Sequence, residues 1–173
     1  MEDLLKLKDK TFVVMGVANN RSIGWGIAES LFKAGAKVIF TYRQERSLKK
    51  LQRLLDENGH KAELIVQCDV NDDESIKNAF NEIGKHTDEV AGIIHSIAHA
   101  HVEDLRAGFI NTSREGFAFA LDTSAYSLIA VAREAKPLLK NGGSIMALTY
   151  LGAEKAVPGY NVMGVAKAAL EAT

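Results

Sequence analysis

The sequence predicts an α/β protein organised as a doubly wound parallel sheet. Short β-branched apolar runs alternate with amphipathic segments at helical spacing, and glycine or polar residues mark the turns between them. A regular alternation of strand and helix requires crossover connections, which cover both faces of a parallel sheet. At 173 residues the chain is long enough to bury one core, so we expect a single domain over 1–173.

Composition excludes several classes of function. The 21 basic and 22 acidic residues give a formal charge of -1, so nothing favours a nucleic acid or an anionic membrane as partner. The first six residues lack the layout of a signal peptide, and no apolar run is long enough to span a bilayer. We therefore expect a soluble, cytoplasmic protein. The single cysteine, Cys68, is interpreted as a small buried residue at a strand end.

The first strand, turn and helix lie in residues 11–28, TFVVMGVANNRSIGWGIA. The β-branched run ends at Gly16, and apolar residues resume at helical spacing from Ile23. Such a turn can hold a diphosphate, because glycine allows close approach and the N–H groups of a new helix attract an anion. Gly16, Gly24 and Gly26 do not match the pattern G-x-G-x-x-G, so an ordinary βα turn is the alternative.

Four more strands follow the first helix and alternate with helices. The strand runs are AKVIFTY, AELIVQ, VAGIIHS and SIMALTY, and Gly35 and Gly59 are placed to end the first two helices. The last helix is predicted to begin near Tyr160. No capping residue precedes the end of the chain at Thr173, so we expect the sequence to stop within an element.

Capping signals place the two middle helices. Asn71 with Glu74 predicts the start of the third helix, and Thr112 with Glu115 predicts the start of a long one. The long helix is expected from Ser113 to about Leu139, and the proline near its end should bend or end it.

Ligands of a doubly wound sheet bind at the carboxyl ends of its strands. Five segments are predicted to meet there, and they are Gly16 to Ser22, Tyr42 with Arg43, Asp69 with Val70, His95 with Ser96, and Thr149 with Tyr150.

The segment after the second strand, TYRQERS, favours a cofactor with a 2′-phosphate. NAD sites place an acidic residue here to hold the ribose hydroxyls, whereas this sequence has Arg43 and Ser47, which suit a phosphate. Solvated charges at a helix start are the alternative interpretation. Asp69 can accept from an adenine amino group or cap the next helix.

Tyr160 and Lys167 lie seven residues apart in the predicted last helix, which corresponds to two turns and about 10 Å of rise. A lysine on the same face is expected to lower the pKa of the phenol from about 10, and the helix amino end adds a positive field. Such a tyrosine can hold a developing oxyanion and donate a proton.

A run of histidines raises the question of a metal site. His95, His99 and His101 are followed by Glu103 and Asp104. One cysteine and a loop position argue against a bound metal, so we expect no metal and interpret these histidines as pocket residues.

These motifs together resemble one family. The runs VMGVANNRSIGWGIA, TYRQERS, CDV, HSIA, VEDLRAGF, TSREGF, LTYLGAE and YNVMGVAKAALEA are similar to the enoyl-acyl-carrier-protein reductases of bacterial type II fatty-acid synthesis. This family is a divergent branch of the Rossmann-like short-chain dehydrogenase/reductases. The similarity begins near Leu7 and is strongest to the Gram-positive form that uses NADPH. Ordinary members of the superfamily place the lysine four positions after the tyrosine, where this chain has Gly164.

The resemblance implies an oxidoreductase that reduces a trans-2-enoyl thioester on acyl carrier protein, with NADPH favoured over NADH. Tyr160 is implied to stabilise the enolate, Lys167 to hold the nicotinamide ribose, and Tyr150 to lie beside the acyl chain. A homotetramer is also implied. The other implied contacts are Gly16, Ser22, Ile23, Arg43, Gln44, Ser47, Asp69, Val70 and Ile97 to the cofactor, and Ala100 to the substrate.

The sequence departs from this family in three respects. Gln44 replaces a lysine usual in the NADPH-using form, and His99 replaces an aromatic residue. The family also continues beyond the tyrosine helix with two more strands and a lid over the acyl chain. We therefore expect this chain alone to be less stable than a full-length member and inactive or nearly so, with SIMALTY as an exposed sheet edge.

Two alternative functions stay open at this point. One is an NADP-binding fragment without catalysis. The other is a carbonyl reductase of the same superfamily, which the seven-residue spacing from Tyr160 to Lys167 argues against.

Overall fold

The computed structural model describes residues 6–106 and 108–173. Residues 1–5, on which most of the signal-peptide prediction rests, lie outside this part, as does Ala107 of the VEDLRAGF motif. The strands β1 to β5 are Thr11–Met15, Lys37–Tyr42, Leu64–Gln67, Gly92–His95 and Ser144–Ala147. The helices α1 to α7 are Ile23–Lys33, Glu45–Glu57, Asp73–His86, Val102–Arg106, Arg114–Leu121, Ser127–Ala135 and Val162–Ala172.

The strands form one sheet in the order β3-β2-β1-β4-β5. β1 pairs in parallel with both β2 and β4, and its Val13 is in register with Ile39 on one side and Ile93 on the other. β2 pairs in parallel with β3. The strand order reverses between β1 and β4, which is the topological switch point of a doubly wound sheet. The predicted fold class is confirmed.

The chain packs as two compact units. Unit 1 is Met1–Ser96 with Glu134–Met146, and unit 2 is Ile97–Arg133 with Ala147–Thr173. The single domain expected from the sequence remains a prediction.

Unit 1 contains the core of the sheet. All five residues of β1 are buried, as expected for an inner strand whose two faces are both covered. On one face the Trp25 ring of α1 stacks on Phe40 with centroids 6.4 Å apart. α2 adds Leu51, Leu54 and Leu55 to the same cluster.

Cys68 follows β3 and is 4% exposed. Burial and the neighbouring Asp69 raise the pKa of its thiol to about 12. The thiol is therefore protonated at neutral pH and unreactive, which agrees with the interpretation of Cys68 as a small buried residue.

The N-caps of two helices lie one residue later than predicted. α3 is capped by Asp72 rather than Asn71, because the Asp72 carboxylate accepts from the backbone N–H two residues on at 3.0 Å. α5 is capped by Ser113 rather than Thr112, because the Ser113 hydroxyl accepts from the N–H three residues on at 3.0 Å. In each case both neighbouring residues are good capping types, and the backbone conformation selects the second.

The long helix expected over 113–139 is present as consecutive segments. A π-helical turn, Asp122–Tyr126, connects α5 to α6, and a 3-10 turn, Lys136–Leu138, contains the proline and ends the run. The short helix α4 was not predicted, because 97–111 shows no strong apolar period.

The last two predicted elements are shorter than expected. β5 ends at Ala147 rather than Tyr150, and α7 begins at Val162, so Tyr160 lies in the preceding turn. β5 is an edge strand, and its Ile145 and Met146 are 36% and 50% exposed. The predicted apolar sheet edge is thus present. Within 6–106 and 108–173, none of the helices has the length and hydropathy needed to cross a bilayer.

Ile93 provides a test of the unit 1 core. It is 1% exposed in β4, so Ile93→Ala should lower the free energy of unfolding by about 2–5 kcal/mol through lost burial and a cavity. Chemical denaturation measures this. Ile23→Ala in the same unit is the matched control, because Ile23 is 66% exposed and its truncation should cost less than about 0.5 kcal/mol. Equal losses for the two variants would contradict the described core.

Candidate functional site

The turn after β1 is shaped by Gly16 and by hydrogen bonds within the loop. Gly16 has a φ of 83°, which residues with a side chain rarely adopt. The Asn19 side chain accepts from the N–H of Arg21 at 2.8 Å, and the Ser22 hydroxyl donates to the Asn19 carbonyl. Ser22 therefore does not cap α1 with its side chain, and the helix start can receive an anion. Sequence reasoning missed Asn19, although adjacent asparagines are a turn signal.

Gly24 allows α1 to lie close to the end of β4. A Cβ atom at Gly24 would be 3.3 Å from Ser96 and 3.5 Å from the Val17 side chain. Ile23, implied as a pyrophosphate contact, is the first residue of α1 and is 66% exposed. It is accessible to a ligand at the same turn.

Arg43 and Asp69 form an ion pair at the carboxyl ends of β2 and β3. Arg43 Nε lies 3.1 Å from Asp69 Oδ2, and the two side chains are 48% and 35% exposed. The Gln67 amide donates to the Arg43 carbonyl at 3.2 Å. Asp69 Oδ1 accepts from the N–H of Asn71 at 3.1 Å, so Asp69 closes a turn and leaves the capping of α3 to Asp72. The structure thus brings together two residues that the sequence placed separately at this edge.

Three other predicted cofactor residues lie near Arg43 and Asp69 in the sequence, at the start of α2 and after the end of β3. Gln44 is exposed at the N-cap of α2 and makes no side-chain cap bond. Ser47 is half-buried in the first turn, where its N–H donates to the Gln44 carbonyl at 2.8 Å. Val70 is 7% exposed. Ile97 belongs to unit 2 and is half-buried.

In unit 2 the Tyr160 ring lies against two glycines. A Cβ atom at Gly152 would be 2.8 Å from Tyr160 Cε1, and one at Gly164 would be 3.8 Å from Tyr160 Cδ1. A Cβ atom at Gly164 would also lie 2.8 Å from the Gly152 carbonyl oxygen. Position 164, which carries the lysine in ordinary members of the superfamily, therefore has no room for a side chain unless the backbone at 152 moves.

Tyr150 and Lys167 complete this group. The Tyr150 and Tyr160 rings are 4.7 Å apart between centroids at an interplanar angle of 62°. Lys167 is 5% exposed, and its Nζ donates to the Leu148 carbonyl at 2.6 Å. Burial lowers the pKa of Lys167.

Two expectations about Tyr160 are wrong. It is not on the last helix, because α7 begins at Val162 and Asn161 has a non-helical conformation. Its pKa is raised rather than lowered, because burial and the neighbouring Tyr150 disfavour the phenolate. Tyr160 is therefore a neutral phenol at neutral pH, which makes it a hydrogen-bond donor.

A cavity of about 630 Å³ opens beside Tyr160 within unit 2. This volume lies in the usual range of small-molecule sites, about 300–1,000 Å³. Ala100, implied to border the substrate, is 4% exposed and packs with Val162, Met163 and Ala166 instead of lining this cavity. Sequence reasoning did not identify the cavity, whose mostly apolar lining includes Phe109, Gly152, Val157, Pro158, Tyr160 and Val165.

The histidines of unit 2 make ring contacts. His101 stacks on Phe119 with centroids 4.5 Å apart, and His99 meets the same ring edge-on at 5.8 Å. The buried Asp104 carboxylate accepts from the N–H of Ser113 at 2.8 Å. Over the described part of the chain, no group of three or more histidine, cysteine, aspartate and glutamate side chains has the arrangement of a metal site.

Comparison with known proteins identifies the family. A family model described as enoyl-(acyl carrier protein) reductase matches residues 16–173. The chain belongs to this reductase family. The resemblance read from the motifs is confirmed.

Individual relatives of the reductase family match almost the whole chain. The NADPH enoyl-[acyl-carrier-protein] reductase of Staphylococcus aureus is 54% identical over 169 residues, which are 98% of this chain and 66% of that protein. The corresponding NADH enzyme of Bacillus cereus is 52% identical over 167 residues, which are 96% of this chain and 65% of that protein. This chain thus spans 65–66% of the length of these two reductases.

Solved structures of the reductase family have the same fold as this chain. The crystal structure of the Bacillus cereus enzyme with NADP+ and indole naphthyridinone superimposes with a TM-score of 0.92 at 52% identity, over 96% of this chain and 65% of that one. The NADH enzyme of Aquifex aeolicus gives a TM-score of 0.90 at 47% identity. The relatives differ in the cofactor they are named for, which is NADPH in Staphylococcus aureus and NADH in Bacillus cereus and Bacillus subtilis.

The raised pKa of Tyr160 predicts its titration. We expect its phenol to ionise above the ordinary value of about 10. Because the fold favours the neutral phenol, the stability that this group contributes is present below pH ~10 and is lost as the pH rises through the raised pKa. NMR titration of protein labelled with ¹³C at tyrosine Cζ measures the midpoint, with Tyr160→Phe to assign the resonance. A Tyr160 midpoint below that of the urea-unfolded chain would contradict the described burial.

Proposed function

We propose that this chain forms the cofactor-binding and tyrosine-bearing part of an NADPH-dependent enoyl-[acyl-carrier-protein] reductase. The observation that carries the proposal is the group Tyr150, Tyr160 and Lys167 in unit 2, found in a chain that belongs to the reductase family. The ion pair of Arg43 with Asp69 in unit 1 supports the nucleotide part.

Tyr160 is proposed to stabilise negative charge on the substrate. When bound, NADPH supplies the hydride that reduces the β-carbon of a trans-2-enoyl thioester. The neutral Tyr160 phenol then donates a hydrogen bond to the thioester oxygen, where charge accumulates as an enolate. A proton taken up from solvent at the α-carbon then completes the reduction. The raised pKa of Tyr160 supports the role of donor, because the proton stays on the phenol.

Lys167 is proposed to hold the nicotinamide ribose. Its ammonium has three N–H donors, and one is directed to the Leu148 carbonyl at 2.6 Å. This bond fixes the side chain and leaves two donors for ribose hydroxyls. A lysine held in this way loses little side-chain entropy when the cofactor binds.

The cavity beside Tyr160 supports an acyl chain as the substrate group. Its lining contains Val157, Pro158 and Phe109 together with the Tyr160 ring, which places an apolar wall beside a phenol. The polar residues Glu154, Lys155 and Asn161 also line it. Acyl carrier protein is proposed as the carrier. A homotetramer is also proposed, supported by Phe117 and Ile129 of the long helix, which are 39% and 44% exposed.

NADPH is favoured over NADH in this proposal because Arg43 can contact a 2′-phosphate. The preference is expected to be moderate, since Asp69 already neutralises part of the Arg43 charge and Gln44 adds none. A carbonyl-reducing activity is disfavoured, because the Gly164 position cannot carry the usual lysine without a shift at Gly152.

Arg43→Ala tests the cofactor assignment. A charge-assisted phosphate contact contributes about 1.5–3 kcal/mol, and partial exposure reduces it, so NADPH binding should weaken roughly tenfold. NADH binding should change less than about twofold, because NADH has no 2′-phosphate to lose. Nucleotide fluorescence titration of the purified chain measures both.

Asp69→Asn and Arg53→Ala complete that experiment. Asp69→Asn frees the Arg43 charge and should tighten NADPH relative to NADH. Arg53→Ala is the matched control, because Arg53 pairs with Glu57 at the far end of α2. Parallel losses for NADPH and NADH in Arg43→Ala would argue against 2′-phosphate recognition.

A turnover assay separates an enzyme from a nucleotide-binding fragment. Because the chain spans 65–66% of its relatives, we expect it to bind NADPH and to show little oxidation of NADPH with a crotonyl thioester. Clear turnover by monodisperse protein would refute that expectation. If turnover is seen, its loss in Tyr160→Phe but not in Tyr126→Phe would still support the proposed role of Tyr160. Tyr126 is the control because its hydroxyl accepts a hydrogen bond from the exposed Arg133.

A further inference from the structure

Asn161 has a backbone conformation that costs free energy. Its φ is 42° and its ψ is -127°, a region that favours glycine and costs other residues roughly 1–3 kcal/mol. In 6–106 and 108–173, the other non-glycine residues with positive φ are Lys6 and Asp9, both before β1. Asn161 directly follows Tyr160. A strained residue persists only where its surroundings hold it.

Two carbonyl groups hold the Asn161 side chain. Its Nδ2 donates to the Leu105 carbonyl at 2.8 Å and to the Asp104 carbonyl at 3.4 Å. Asp104 is 5% exposed, and its own carboxylate accepts from the N–H of Ser113. The amide of Asn161 is therefore fastened to the end of α4, which is itself fastened to the start of α5.

The backbone turn at Asn161 determines where Tyr160 lies. The N–H of Met163 donates to the Tyr160 carbonyl at 3.0 Å, so 160–163 form a β-turn with Asn161 at the second position. The dihedral angles of Asn161 match that position of a type II′ turn, which glycine usually occupies. Gly159, with a φ of 78°, precedes the tyrosine. Without a tether, a turn flanked by glycine leaves the Tyr160 ring free to move away from Gly152.

We propose that Asn161 is a positioning residue whose side-chain amide tethers the turn and holds Tyr160 against Gly152 and Tyr150. Asparagine meets both requirements, because it tolerates positive φ better than most residues and carries a donor for the two carbonyls. Any effect of this tether on turnover rests on the proposed function. The tether itself is a property of unit 2 and is tested without cofactor or substrate.

Asn161→Gly separates the tether from the turn. Glycine adopts the positive φ without strain but has no amide, so the turn survives and the tether is lost. We expect the NOE between the Tyr160 ring and the Gly152 Hα atoms to weaken or vanish. We also expect the ¹³Cζ titration midpoint of Tyr160 to move down toward about 10, because the ring becomes more exposed. If asparagine serves the conformation alone, neither signal changes and the proposal is overturned.

Asn161→Asp tests the donor itself. Aspartate has the same size and turn preference, yet its carboxylate has no N–H and faces two carbonyls. The NOE should be lost at neutral pH and should return in part in acid, where the protonated carboxyl can donate one hydrogen bond. Asn78→Asp on the exposed face of α3 is the matched control and should leave the NOE unchanged. An NOE that persists in Asn161→Asp at neutral pH would overturn the tether.

Two further measurements keep the outcomes distinct. Circular dichroism and thermal melting show whether each variant is folded. If Asn161→Gly unfolds unit 2, the return of the Tyr160 to Gly152 NOE of Asn161→Asp in acid decides whether the tether exists. NADPH binding enters none of these readouts. A chain that binds no nucleotide but loses the Tyr160 to Gly152 NOE in both variants would refute the proposed function and support the tether.

Discussion

The parallel register of β1 with β2 and β4 is the constraint on which the rest of the structure depends. Helices cover both faces of these strands, so their residues are buried and apolar. Polar and charged groups are then restricted to the strand ends. Gly16, Arg43 and Asp69 each follow a strand at the same edge of the sheet. The positions of the strands in the sequence are enough to predict this.

Unit 2 depends on a second constraint, the close approach of Tyr160 to Gly152 and Gly164. A side chain at either glycine would displace the ring or the backbone. The lysine of α7 stands farther along the helix, at Lys167, where its Nζ donates to the Leu148 carbonyl. The presence of glycine at position 164 thus has a steric explanation in this chain.

The sequence predicts the elements of this fold well because their signals are local. Apolar periodicity and the glycines at 35 and 59 depend on neighbours in the chain, and the structure contains each corresponding helix end. The choice between adjacent capping residues, such as Asn71 and Asp72, depends on a backbone angle that composition does not specify. These errors are therefore confined to one residue.

Long-range contacts account for the larger errors at the candidate site. Arg43 and Asp69 are 26 positions apart, and each was assigned to a ligand without its partner. The Asn161 side chain donates to carbonyls 56 and 57 positions away. The helical spacing of apolar residues near the end of the sequence does not indicate the turn that places Tyr160 outside α7. The sign of the Tyr160 pKa shift follows from burial and from Tyr150, neither of which is encoded by the spacing to Lys167.

The two pKa shifts of unit 2 bear directly on the chemistry proposed for it. Burial raises the pKa of Tyr160 and lowers that of Lys167, so both shifts disfavour charge. In such an environment, a negative charge that develops on the substrate interacts more strongly with a fixed hydrogen-bond donor than it would in water. A neutral phenol can stabilise an enolate through a hydrogen bond without giving up its proton. The role proposed for Tyr160 in reducing an enoyl thioester uses only such a hydrogen bond. An alkoxide formed from a carbonyl must instead be protonated, and a phenol of raised pKa is the weaker acid for that step.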